Sequence, residues 1–147
     1  MQPTQHAQVH LIDDDASVRE ALAWLLRSRG LPSVEHVSAD DFLADWQQRK
    51  RHMEPCCLLL DVRMPGLSGL ELQETLRQQN LGLPVIIMTA HGDVATVRTA
   101  LKSGAVDFLE KPVDPDALLV AVKTALDADA ARRRAAHEAE GTQRRVS

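Results

Sequence analysis

Two apolar patterns alternate along the chain. Short runs with almost no polar interruption, Val9-His10-Leu11-Ile12, Leu58-Leu59-Leu60 and Val85-Ile86-Ile87-Met88, read as strands buried on both faces, the pattern of a parallel sheet. Pro32 to Val37 and Ala105 to Leu109 supply two more short strands. Between these runs the apolar residues recur at helical spacing: Val18, Leu22, Leu25 and Leu26, then Phe42 and Trp46, Leu72 and Leu76, Val94, Val97 and Leu101, and finally Leu118, Leu119, Val122 and Leu126.

Each helical stretch has start signals. Asp15 or Ser17 precedes the first, Ser38 the second and Asp93 the fourth. Ser68-Gly69-Leu70-Glu71 is a capping box, and Asp114-Pro115 is a cap followed by proline at the first helical position. Gly30 and Gly104 stop the first and fourth helices. Five strands alternating with five helices predict an α/β fold, a (βα)5 doubly wound parallel sheet covered on both sides.

In such a sheet the carboxyl ends of the strands form the ligand crevice. Four of the five deliver chemistry there: Asp13 and Asp14, Asp61, Thr89, and Lys111. Each has a plain explanation as a polar strand end, but the set is hard to dismiss. Carboxylates with few other ligands suit a hard cation such as Mg²⁺, which keeps several waters. A cation, an ammonium and a hydroxyl together make a phosphoryl site, and an ionised aspartate beside them is a nucleophile able to form an acyl phosphate.

Composition narrows the alternatives. Hydrophobic residues at 44% and charged residues at 26% are ordinary for a globular protein, and no apolar run reaches the roughly 20 residues of a membrane span. The start, Met-Gln-Pro-Thr-Gln-His, lacks the pattern of a secretory signal, so a cytoplasmic location is expected. A net charge of −4 gives no whole-chain argument for nucleic-acid binding. Cys56 and Cys57 read as small core residues, and the six histidines lie scattered without zinc spacing. No Gly-x-x-x-x-Gly-Lys loop is present, which disfavours nucleoside triphosphate hydrolysis.

Taken together, Asp13-Asp14, Leu58-Leu59-Leu60-Asp61-Val62-Arg63-Met64-Pro65-Gly66, Met88-Thr89-Ala90 and Phe108-Leu109-Glu110-Lys111-Pro112 resemble a two-component response-regulator receiver domain, over about residues 8–126. The resemblance implies a CheY-like, flavodoxin-like fold with strand order 2-1-3-4-5 and a phosphoacceptor, Asp61, charged by a sensor histidine kinase. It implies self-catalysed phosphotransfer and autodephosphorylation only, not an enzyme of other substrates. By the same carry-over Asp14, Asp61 and the backbone carbonyl of Arg63 ligate Mg²⁺, and Asp13 acts through water. Thr89 and Lys111 hold phosphoryl oxygens, Ala90 is the small residue that leaves Asp61 open, and the Lys111–Pro112 peptide is cis. Met88 to Val94 and Gly104 to Pro112 resemble most the FixJ branch, whose members carry a LuxR-type helix-turn-helix; no such module lies within the 147 residues. Arg63 and His91 depart from the chemotaxis-type pattern, and both side chains are candidates to flank the phosphate.

Two further expectations concern signalling. Thr89 closes on the phosphoryl group and the ring of Phe108 moves into the space vacated, because both end strands beside Asp61. Phosphorylation drives homodimerisation through the fourth helix, fifth strand and fifth helix, since Val94, Val97, Arg98, Leu101 and Lys102 cannot all face inward and Asp107 offers a charge for pairing. The competing reading puts at least two of the apolar residues in the core.

Residues 127–147 combine helix-favouring alanine, arginine and glutamate with no apolar stripe. They are expected to be a frayed or exposed extension of the last helix, a linker to a promoter-binding helix-turn-helix domain beyond Ser147. Arg132-Arg133-Arg134, close to Glu138 and Glu140, reads as a solvated charged face rather than a DNA contact. The alternative is a free-standing receiver acting as a phosphorelay shuttle or by protein contact. Of other classes, an aspartyl-nucleophile phosphohydrolase needs a second aspartate two residues on, where Arg63 stands, and a flavodoxin-like flavoprotein is disfavoured by 3% aromatics.

Overall fold

The computed structural model describes residues 7–48, 54–64, 66–79 and 81–146, with side chains to 139. Five parallel strands, β1 (Gln8–Ile12), β2 (Ser33–His36), β3 (Cys56–Asp61), β4 (Val85–Ala90) and β5 (Asp107–Lys111), form one sheet in the order β2-β1-β3-β4-β5. The helices are α1 (Ala16–Ser28), α2 (Ala39–Gln48), α3 (Gly69–Gln78), α4 (Val94–Lys102) and α5 (Pro115–Val146).

The sheet separates two apolar layers. Val9, Leu11, Leu59, Ile86, Met88 and Leu109 pack against α1 and α5, while Ile12, Leu58, Leu60 and Ile87 pack against α2, α3 and α4. Period-two alternation within runs that look uniformly apolar thus feeds both layers at once. The caps anticipated from sequence are made by Asp15, Ser38, Ser68 with Glu71, and Asp93. Cys56 and Cys57 are free thiols in the core; burial, followed by the charge of Asp129, pushes the Cys56 thiol up to about 11, and burial likewise raises Cys57.

Three expectations need correction. The last strand begins at Asp107, not Ala105: the Ala105 N–H closes α4 on the Ala100 carbonyl, and Val106 makes one bond to Val85 before the ladder starts. On α4, Val94 and Leu101 are 63% and 43% exposed and Val97 is half-buried, so the core reading fails for the first two; Ala100 is the buried residue. Finally, α5 continues as one helix to Val146, and Arg132 and Arg133 are not simply solvated. Asp129 is fully buried, accepts the Cys56 N–H at 2.9 Å, and pairs with Arg132 at 2.7 Å and Arg133 at 2.8 Å. Pro65 and Ser147 lie outside the described residues. Among the described residues no helix is long and apolar enough to cross a membrane.

Candidate functional site

The three consecutive acids after β1 have three environments. Asp13 is buried; its N–H donates to the His36 carbonyl, one Oδ accepts the Asp15 N–H at 2.9 Å, and the other meets Lys111 Nζ at 3.1 Å. Asp14 is exposed. Asp15 caps α1 by accepting the Ser17 and Val18 N–H groups. Arg19, one turn into α1, donates to the Asp13 carbonyl at 2.6 Å and lies 3.4 Å from Glu35 of β2, which ties the acidic loop to the sheet edge.

Asp61 ends β3 and is 7% exposed. Lys111 Nζ lies 3.3 Å from it, so the ammonium bridges Asp61 and Asp13, the latter 98 residues before Lys111 in sequence. Burial and then the charge of Asp13 lift the Asp61 carboxyl above its ordinary range, against the pull of Lys111. Burial pulls Lys111 down, but its hydrogen bond to Asp13 and the charges of Asp61 and Asp13 outweigh that and hold the proton more firmly.

One oxygen from each of Asp13, Asp14 and Asp61 falls within 4.8 Å of the others, the only such cluster of metal-capable side chains among the described residues. Two oxygens on one Mg²⁺ lie about 3 Å apart when adjacent and about 4 Å when opposite, so the donor set and spacing fit that ion. A divalent cation would also offset the repulsion that raises Asp61.

Thr89 is buried near the end of β4, and the following Ala90 is exposed. Ala90 and Lys111 are register partners, which puts the hydroxyl, the small residue and the ammonium on adjacent strands beside Asp61. The Lys111–Pro112 peptide is cis. Behind Asp61 the chain is tightly packed: the Gly69 N–H, opening α3, donates to the Val62 carbonyl at 3.0 Å, and a Cβ on Gly69 would stand 2.5 Å from the Asp61 carbonyl oxygen.

Both departures from the chemotaxis pattern lie against acids other than Asp61. The Arg63 side chain is 83% exposed and lies 3.6 Å from Asp93, while His91, 87% exposed, lies 3.1 Å from Glu110. Phe108 is half-buried and, with Gly92, Asp93, Val94, Val97 and Glu110, lines a cavity of about 180 Å³ between β5 and α4. Arg98 and Lys102 are exposed beside Val94 and Leu101; Asp107 is half-buried and accepts the Phe108 N–H.

Arg19, Gly69, Glu110 and a buried pair, His10 Nδ1 to His36 Nε2 at 3.0 Å, were not singled out by sequence. Period two in β5 puts Glu110 on the face of Phe108 and is a signal that sequence carries; the histidine pairing needs the strand order first.

Residues 9–123 match the family model described as response regulator receiver domain. Over 118 residues the chain is 49% identical to the transcriptional regulatory protein FixJ of Azorhizobium caulinodans, covering 80% of this chain and 54% of that one. It therefore spans about half the length of the curated relatives it matches. Among solved structures, the response regulator StyR superposes with a TM-score of 0.84 at 41% identity, over 95% of this chain and 68% of that one. The FixJ-N crystal structure gives 0.76 at 37% identity, over 86% and 96%.

Proposed function

The chain belongs to the response regulator receiver family, on its FixJ-like branch, and from that premise we propose that Asp61 accepts a phosphoryl group from the phosphohistidine of a sensor kinase. The observation that carries this is the placement of the Asp61 carboxylate 3.3 Å from Lys111 Nζ and within one ligand span of Asp13 and Asp14. An Asp61 oxygen attacks phosphorus as the P–N bond breaks, and the departing electron pair stays on the imidazole nitrogen, which the solvent reprotonates. Asp14, Asp61 and the Arg63 carbonyl would hold Mg²⁺, with Asp13 acting through water; bound there, the ion supplies positive charge against the phosphoryl oxygens. Lys111 holds one phosphoryl oxygen with its ammonium and the Thr89 hydroxyl donates to another, while Ala90 leaves the approach open.

The signal is a shift between two arrangements. Thr89 moves toward the phosphoryl group and Phe108 turns into the space it vacates; the cavity beside the ring, which leaves it room to turn, supports this reading. The altered α4–β5–α5 face, with Val94, Val97, Arg98, Leu101, Lys102 and Asp107, then pairs with a second copy. Exposure of Val94 and Leu101 supports this. Residues 8–126 form the receiver and 127–147 a helical extension leading to a DNA-binding output domain, a reading drawn from relatives about twice as long that are named as transcriptional regulators.

Beryllofluoride, a phosphoryl mimic, tests the assignment by ¹⁹F NMR. A bound resonance that needs Mg²⁺ and disappears in Asp61→Asn is expected; a bound resonance that survives Asp61→Asn would refute it.

A further inference from the structure

The loop from β4 to α4 is held from β5 by a single carboxylate oxygen. Glu110 Oε2 accepts the Gly92 N–H at 2.8 Å and lies 3.1 Å from His91 Nδ1. Glu110 is the register partner of Thr89, and it shares its face of β5 with Phe108, two residues earlier. Gly92, at φ +83°, makes the turn that the Asp93 N–H closes on the Ala90 carbonyl and the Val94 N–H on Gly92. Glu110 and Gly92 also wall the cavity beside the Phe108 ring.

In the switch proposed above, these contacts link three movements. Gly92 follows Thr89 by three residues, so drawing the Thr89 hydroxyl toward Asp61 pulls the loop across Glu110. The Phe108 ring shares its cavity wall with Glu110 and Gly92, so a turn of the ring disturbs the same contact. We propose that Glu110 is a positioning residue that clamps the β4–α4 loop in the arrangement described here and so sets how far the resting protein is biased against the closed, phosphoryl-bound one. The inference rests on the switch proposed above. It assigns the bias to a residue that touches neither the metal site nor the phosphoryl group, and it gives His91 a role as a supporting neighbour of Glu110.

A clamp present in one arrangement and released in the other changes mimic affinity when removed, because the ligand no longer has to break it. The test is a beryllofluoride titration at fixed Mg²⁺, with Mg²⁺ affinity alone and thermal stability measured on the same variants. Glu110→Ala loses a charge-assisted, partly exposed hydrogen bond and is expected to bind beryllofluoride about five- to tenfold more tightly. Glu110→Gln keeps an acceptor for Gly92 and should gain about two- to threefold; His91→Ala, which removes only an exposed contact to Glu110, should gain less than about twofold. Mg²⁺ affinity should stay at the wild-type value in all three, a result that general loosening of the site would not give.

Equal or weaker beryllofluoride binding by Glu110→Ala, with Mg²⁺ affinity intact, would overturn the clamp while leaving the receiver reading standing. So would a Glu110→Gln variant as tight as the alanine one. If Glu110→Ala fails to fold, the glutamine and His91→Ala variants carry the same comparison, and no gain in either overturns the proposal. Failure of the wild type to bind beryllofluoride at all would sink the receiver reading itself, and the clamp with it.

Discussion

Replacing Gly69 by alanine tests how closely the start of α3 is seated against the phosphoacceptor strand. An ideal Cβ there would lie 2.5 Å from the Asp61 carbonyl oxygen and 2.9 Å from Val62 Cα, both backbone atoms with no flexible side chain to yield. Reaching ordinary contact at 3.4 Å requires the helix end and the strand end to part by nearly 1 Å. The Gly69 N–H to Val62 carbonyl bond, now 3.0 Å, would then exceed hydrogen-bonding distance. Overpacking costs about 1–3 kcal/mol and the lost bond about 0.5–1.5 kcal/mol, offset by up to about 1 kcal/mol from the helical preference of alanine. A net loss of about 2–3 kcal/mol is expected, or about 6–12 °C in Tm for a chain of this size. Urea unfolding should show a lower midpoint at unchanged slope, and Mg²⁺ binding should weaken because the Asp61 backbone shifts. The sign decides the matter: with room for the methyl group, glycine to alanine would stabilise, so a variant as stable as wild type or more stable refutes the packing argument.

The remaining expectations concern charge, the extension and assembly. Because the folded pKa of Asp61 is raised, its contribution to stability is complete below the ordinary carboxylate range and is lost as pH rises through the folded value. Asp61→Asn should therefore be more stable than wild type near pH 7 without metal, by a margin that closes toward about pH 4, and saturating Mg²⁺ should reverse the order; denaturation across pH checks this. Asp129→Ala leaves the Cys56 N–H without its acceptor and separates two arginines from their counter-charge, and should cost about 2–4 kcal/mol, with faster amide exchange at Cys56 and across 127–133. Light scattering should show beryllofluoride converting monomer to dimer, and Leu101→Glu should block that conversion while leaving mimic binding unchanged.

The alternation of uniform apolar runs with helical spacing was enough to give five strands, five helices and a site at the carboxyl ends, because burial of a parallel sheet on both faces leaves a strong mark in sequence. The caps at Asp15, Ser38, Ser68 and Asp93 were equally legible, since a cap depends on neighbours within four residues. Asp13, Asp61 and Lys111 were legible as strand ends, but the shared ammonium between the two carboxylates follows only from the strand order. The start of β5 was misjudged because Ala105 is apolar for another reason, being buried where its N–H closes α4, while Val106 is 47% exposed and makes one backbone bond to Val85 ahead of the ladder.

Other contacts depend on positions far apart. His10 and His36 are 26 residues apart, Glu110 and Gly92 18, and Asp129 and Cys56 73, and no local pattern announces such pairs. Asp129 is the instructive case. Its spacing to Arg132 and Arg133 is the helical ion-pair spacing and readable as such, but a surface pair and a buried anchor have the same spacing. Only the seating of α5 against the start of β3 distinguishes them.

The central claim is that Asp61 is the residue that takes up phosphate. Its most direct test is intact-mass measurement after incubation with acetyl phosphate, with and without Mg²⁺, on the wild type and on Asp61→Asn. A gain of one phosphoryl group that needs Mg²⁺ and is absent from Asp61→Asn is the predicted result. The same gain in Asp61→Asn, or none in the wild type with Mg²⁺ present, would contradict it.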